Sequence, residues 1–366
     1  MEANLQASQP PTLQESVQGA REILPIARMK LQVRSILQWL RPIGFGGCAL
    51  VLLFMLAGLS YQFTKLKADG RRFPQEGRSV DIGGYKLNIN CAGQGSPTVI
   101  LEAGLAVPAP SWRTTQAGIA KFTRVCWYDR AGYGWSDPGP MPRTTSQIVT
   151  ELHRLLQNSG ERPPYILVGH STGGPIVRIY AFRYAGQVAG LVLVDPGHED
   201  LKFSDNVQKI ADGELRQRQR DRQLGPILYW LGISRFAARN VIDNSSPSDP
   251  EPEFRYFAIQ PKFITTAANE TENLTEGKDE LRAAGSLGDK PLVVLIGENS
   301  LLNLPVSPEE KAEANLSWIE FEKRLADLSS RGKWVIVPGA GHMLPFERPD
   351  AIVSAVRGLW TGAKAQ

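Results

Sequence analysis

Short apolar runs alternate with amphipathic stretches through most of this chain. Thr98 to Glu102, Thr123 to Tyr128, Tyr165 to Val168, Leu191 to Val194, Pro291 to Ile296 and Trp334 to Val337 are runs rich in β-branched side chains. They lack the polar alternation of a half-exposed strand, so they predict strands buried on both faces of a parallel sheet. Thr145 to Gln157, Ser307 to Leu328 and Ala351 to Trp360 repeat their apolar residues at helical spacing. Ser79 to Ile82 and Tyr85 to Cys91 flank Gly83-Gly84 and predict a hairpin. Together these elements predict an α/β fold with helices on both faces of a mainly parallel sheet.

Two segments break the alternation. Residues 199–288 hold a charged stretch from Glu214 to Arg222, an apolar piece from Ile227 to Ile233 and several aromatics. They read as an inserted cap of short helices, with Phe236, Phe254, Tyr256, Phe257 and Phe263 expected to be covered. Residues 43–63, IGFGGCALVLLFMLAGLSYQF, carry no charge and suffice to cross a bilayer as a helix. The polar, Pro- and Gln-rich N-terminal residues read as a cytoplasmic or disordered segment, 1–42, and residues 64–78 as a linker. The core is expected in two parts, 79–198 and 289–366.

Basic residues lie on both sides of the apolar run: Arg28, Lys30, Arg34 and Arg41 before it, Lys65, Lys67, Arg71 and Arg72 after it. They nearly balance, so charge alone decides little about orientation. An early span with basic residues ahead of it reads as a signal anchor, which places the globular part on the non-cytoplasmic side of a membrane in a single-pass arrangement.

With 366 residues and a formal net charge of +4, the chain has room for one large domain plus extras. No basic stripe with interleaved aromatics follows the apolar run, which argues against a nucleic-acid partner. Cys48 lies inside that run, and Cys91 and Cys126 fall on different strands. The latter two could pair in an oxidising compartment or stay as separate buried thiols. No clustered His/Cys set suggests a metal, and no cofactor is expected.

The chemistry centres on Gly169-His170-Ser171-Thr172-Gly173. A predicted strand enters this stretch and a predicted helix leaves it, the context that gives a G-x-S-x-G pattern meaning. Ser171 would then sit on a sharp turn with its hydroxyl exposed above the sheet. A serine hydroxyl needs a base within hydrogen-bond reach and a partner that orients the base. Of the four histidines, His153 is mid-helix, His170 adjoins the serine and points elsewhere, and His198 follows the Asp195 strand. His342, between small residues just past the last predicted strand, is the candidate base.

The stretch from Ser79 to Gly362 resembles the α/β-hydrolase superfamily. The likeness rests on the elbow around Ser171, on Asp129-Arg130-Ala131-Gly132-Tyr133-Gly134-Trp135-Ser136 after the fourth strand, and on Gly341-His342 near the end. It implies an eight-stranded, mainly parallel sheet with a cap. It also implies the order nucleophile, acid, base. The chain departs from the pattern at the acid. Where relatives carry Gly-x-x-Asp past the seventh strand, this chain has Gly297-Glu298-Asn299-Ser300. Asp195, at the end of the sixth strand, is the favoured acid, and Glu298 is the alternative. The amides of Thr172 and Leu105 are the expected oxyanion donors. The apolar loop Leu105 to Trp112 would line an acyl pocket, and Asp129 and Arg130 would brace loops. The expected activity is hydrolysis of carboxylic esters or related small acyl compounds through an acyl-enzyme. An aminopeptidase, a thioesterase and a non-catalytic binding domain of the same fold stand as alternatives.

Overall fold

A computed structural model of the chain describes residues 46–197, 199–200, 203–244, 251–274 and 277–364. The expected N-terminal segment 1–42, the first residues of the apolar run and His198 lie outside the described residues. The chain divides into two units, Met1–Tyr61 and Gln62–Gln366. In the first, the described residues are helical, and the side chains of Leu50, Leu52, Leu53 and Phe54 are exposed. They belong to helix α1, Gly46–Arg72, which is long and apolar enough to be a candidate membrane span. The helix runs on through much of the stretch expected to be a linker. Two of the charges in that stretch, Lys65 and Asp69, pair with Asp243 and Arg235 within the second unit.

The second unit is built on eight strands: β1 (Arg78–Asp81), β2 (Lys86–Ala92), β3 (Thr98–Glu102), β4 (Val125–Tyr128), β5 (Tyr165–His170), β6 (Val188–Val194), β7 (Leu292–Gly297) and β8 (Gly332–Val337). Their order across the sheet is β1-β2-β4-β3-β5-β6-β7-β8. β2 runs antiparallel to β1 and β4, and the remaining pairings are parallel. The predicted hairpin is β1–β2, with Asp81 opposite Lys86. Every side chain of β3, β5 and β7 is buried. Along β5 the faces alternate: Leu167 joins the core on one side of the sheet, Ile166 and Val168 the core on the other. β8 closes the sheet as an edge, which leaves Trp334 and Val335 half exposed.

Helices α2 (Arg113–Ile119), α3 (Thr145–Asn158) and α4 (Gly173–Arg183) alternate with the early strands. Six helices follow β6: α5 (Asp205–Trp230), α6 (Ile233–Ala237), α7 (Arg239–Asn244), α8 (Glu251–Ala258), α9 (Pro261–Glu272) and α10 (Gly277–Ala284). They form the expected cap, with α5 and α9 packed together. After β7 come α11 (Pro308–Leu325), α12 (Leu344–Glu347) and α13 (Pro349–Lys364). A reciprocal capping box between Ser307 and Glu310 fixes the start of α11.

Burial of the cap aromatics follows expectation for Phe257 and Phe263, which pack with Tyr133. Phe236 departs from it and is 55% exposed. Cys91 and Cys126 face each other across β2 and β4 and form a disulfide.

Candidate active site

The turn between β5 and α4 carries Ser171 at φ +51°, a left-handed backbone that a residue with a side chain rarely adopts. The flanking glycines make that turn sterically feasible. A Cβ on Gly169 would fall 2.4 Å from the Gly173 carbonyl oxygen, and one on Gly173 would fall 2.7 Å from that of Glu102. The Ser171 amide donates to the Val194 carbonyl at 3.0 Å, which ties the elbow to the end of β6. Among the described residues, two other non-glycine residues have positive φ, Ala106 and Asp195. All three lie around one site, where backbone strain is held in place by the surrounding packing.

His342 lies in the loop after β8, and its ring reaches both partners. Its Nε2 is 3.0 Å from Ser171 Oγ, and its Nδ1 is 2.6 Å from Asp195 Oδ2. With Nδ1–H donating to the carboxylate, Nε2 is left to accept the serine proton. Asp195 is fully buried, and its other oxygen accepts from the Gly297 amide at 2.7 Å and the Trp318 indole at 3.2 Å. Glu298 is placed elsewhere. It is exposed, and its carboxylate accepts from the Gly339 amide at 2.7 Å. Ser300, in the position where relatives carry Asp, is buried and donates to the Gly297 carbonyl.

Two groups beside these residues escaped sequence reasoning. Glu322, one turn past Trp318 on α11, is fully buried and accepts from the Gly197 amide at 3.0 Å. Burial, and then the nearby Asp195, hold its carboxyl well above the usual range, which favours its neutral form. The Trp318/Glu322 spacing on a helix was the available signal, but many helices carry such pairs on a solvated face. The second group is His170. Its Nε2–H donates to the His342 carbonyl at 2.8 Å. Burial, with His342 nearby as a lesser cause, lowers its pKa to about 4.

The loop after β3 is held by Arg130. Its guanidinium donates to the carbonyls of Ala103 and Gly104 and forms buried ion pairs with Glu102 and with Glu270 of α9. Arg130 therefore braces that loop and also ties it to the cap. Asp129 accepts from Asn88 and from the amides of Trp135 and Ala109, and burial raises its pKa. The Thr172 amide opens α4, where first-turn N–H groups have no partner within the helix. Gly104, just before Leu105, sits against the elbow: a Cβ there would fall 3.1 Å from Ser171 Cβ.

A cleft of about 390 Å³ opens on Ser171 and Thr172, between Pro196, Phe203 and Trp318 on one side and Arg143, Glu270 and Leu281 on another. The loop expected to line an acyl pocket does not reach this cleft. Ala106, Val107 and Pro108 line a smaller apolar pocket of about 190 Å³ with Phe254, Phe263, Met343 and Phe346. The cause is the cap, which lays α8 and α9 over that loop. Among the described residues, one group of three metal-ligating side chains stands together, Cys91, Cys126 and Glu161. Its two sulfurs are joined in the disulfide and offer no thiolate.

An eight-stranded sheet of this order, a strand–elbow–helix turn at Ser171 and a helical insertion after β6 define the capped α/β-hydrolase class. The chain belongs to the Alpha/beta hydrolase family, whose sequence model matches residues 99–355. It is 36% identical to an AB hydrolase superfamily protein of Gibberella zeae over 71% of this chain and 85% of that one. It is 28% identical to the uncharacterized protein YbdG of Bacillus subtilis over 68% of this chain and 76% of that one. A thermophilic esterase from Thermogutta terrifontis superposes with a TM-score of 0.57 at 22% identity, covering 79% of this chain and 99% of that one. That likeness is one of fold.

Proposed function

We propose that this chain is a membrane-anchored serine hydrolase that cleaves carboxylic esters or related acyl compounds. The observation that carries the reading is the hydrogen-bond relay from Ser171 Oγ through His342 to Asp195. Ser171 attacks the acyl carbonyl while His342 Nε2 takes its proton. The Asp195 carboxylate holds the ring orientation and offsets the imidazolium charge. The amides of Thr172 and Leu105 receive the developing oxyanion. His342 returns the proton to the leaving group, and water releases the acyl-enzyme by the same path reversed. The fold supports hydrolase activity, and a serine at the elbow fits acyl transfer.

Helix α1 is read as the anchor. The Cys91–Cys126 disulfide favours a non-cytoplasmic, oxidising side for the catalytic unit. A fluorophosphonate probe tests the activity. Wild-type protein is expected to be labelled covalently and Ser171→Ala to remain unlabelled. A folded wild-type protein that takes no label, and hydrolyses no acyl ester in a panel of graded chain length, would leave the fold serving as a binding domain.

A further inference from the structure

The cap carries an apolar face turned away from its own core, beside the end of the candidate span. Helix α5 is charged on its outer side through Arg222. From there Leu224, Ile227, Leu228 and Leu231 follow i, i+3, i+4, i+7 spacing, one stripe of a helix. Leu224 and Ile227 are more than half exposed, at 56% and 57%. This is not an inner face left open. The same two turns point Gly225 and Tyr229 inward, and a Cβ on Gly225 would fall 2.9 Å from Ile264 of α9. Ile233 and Phe236 of α6 are also half exposed, with the Arg239 guanidinium over the Phe236 ring. An exposed apolar stripe of this kind on a soluble face marks an interaction site.

Continuity of the chain names the occupant of this face. Phe63, the last residue of the uncharged run, has its ring 6.0 Å from that of Trp230 at the end of α5. Beyond it, Asp69 forms a buried bidentate ion pair with Arg235 of α6, and Lys65 pairs with Asp243 of α7. These contacts hold the end of α5, α6 and α7 against residues 63–69 of helix α1. Lys67, four residues on, is exposed about 6 Å further along the helix axis, a depth suited to anionic headgroups. The half-exposed indole of Trp230 suits the same boundary.

We infer that the apolar face of α5 and α6 seats the cap in the surface of the bilayer that holds α1, so that the lipid partner is the membrane itself and not a second copy of the chain. This rests on the anchorage proposed above. The seat places the cap at the lipid surface.

The full chain with Cys48→Ser, carrying Ile227→Cys labelled with an environment-sensitive fluorophore, is placed in phosphatidylcholine vesicles. The same label at Gln217→Cys, on the charged part of α5, is the control. The expected result is a blue-shifted emission at 227 that is lost when doxyl-labelled lipid is included, with no such loss at 217. Vesicle flotation, run in parallel, reports the anchor separately. A chain that floats while the 227 label stays in water overturns the seating and leaves the anchor intact. A blue shift insensitive to doxyl lipid that fades on dilution assigns the face to a second copy and also overturns it. A chain that does not float sinks both readings.

Discussion

The Nε2–H of His170 donates to the backbone carbonyl of His342 across 2.8 Å, so the residue before Ser171 holds the loop that carries the candidate base. The bond requires a proton on Nε2, which the neutral tautomer and the imidazolium can both supply, and burial, lowering the pKa to about 4, keeps the ring neutral near pH 7.

The sign follows from linkage. Between about pH 6.5 and about 4 the unfolded chain binds a proton at His170 that the folded chain does not. Stability therefore falls as pH falls through that window, by about 3 kcal/mol in full. Melting temperature measured from pH 7 to 4.5 should decline less steeply in His170→Asn than in wild type. Equal slopes would remove His170 from the account.

Asp195 and Glu298 separate cleanly by substitution. Asp195→Asn keeps the shape but leaves the His342 ring without its counter-charge, and kcat should fall by about 10³-fold or more. Glu298→Gln touches only the exposed contact with the Gly339 amide and should leave kcat within a fewfold of wild type. Steady-state kinetics on any ester the wild type hydrolyses is the measurement. A large loss in Glu298→Gln with a mild one in Asp195→Asn reverses the assignment.

Burial favours the neutral form of Glu322, so Glu322→Gln, which keeps that shape without a charge, should preserve activity near pH 7. Burial raises its pKa, so above about pH 4.5 the unfolded chain releases a proton that the folded chain retains. Stability on this account falls as pH rises, and the Gln variant, which cannot ionise, should melt higher than wild type at pH 8. Glu322→Leu removes the acceptor of the Gly197 amide and should cost about 1–3 kcal/mol at any pH. A Gln variant as unstable as the Leu variant would mean that the charge is needed.

The Cys91–Cys126 disulfide closes a loop of 35 residues. Chain-entropy reasoning gives it about 3–4 kcal/mol of stabilisation. Denaturant titration of the double variant Cys91→Ser/Cys126→Ser should show that loss, and reductant should reproduce it in wild type alone. Identical midpoints with and without reductant would mean that the thiols are unpaired in solution.

The chain order of strands and helices was legible because each buried strand is a continuous apolar run and each helix repeats its own period. The elbow was legible because Gly169 and Gly173 bracket Ser171 at the one spacing where a side chain would strike backbone. The cap was harder to read. Its helices bury aromatics through contacts with α9 and the loop after β4, so Phe263 and Phe236 look alike in sequence and differ wholly in exposure. The stretch from Lys65 to Arg72 read as a linker because its charges seemed solvated, while Asp69 in fact meets Arg235, 166 residues away.

By itself the sequence determined the elements, their order, the serine elbow, the candidate base and an uncharged run long enough to cross a membrane. These are properties of local period and local sterics, which neighbouring residues encode. Only tertiary structure decided between two carboxylates for contact with His342, gave His170 and Glu322 their surroundings, and turned one apolar stripe of the cap outward. Each depends on residues distant in sequence meeting at the carboxyl ends of the strands or on the cap, and no local pattern records which of them meet.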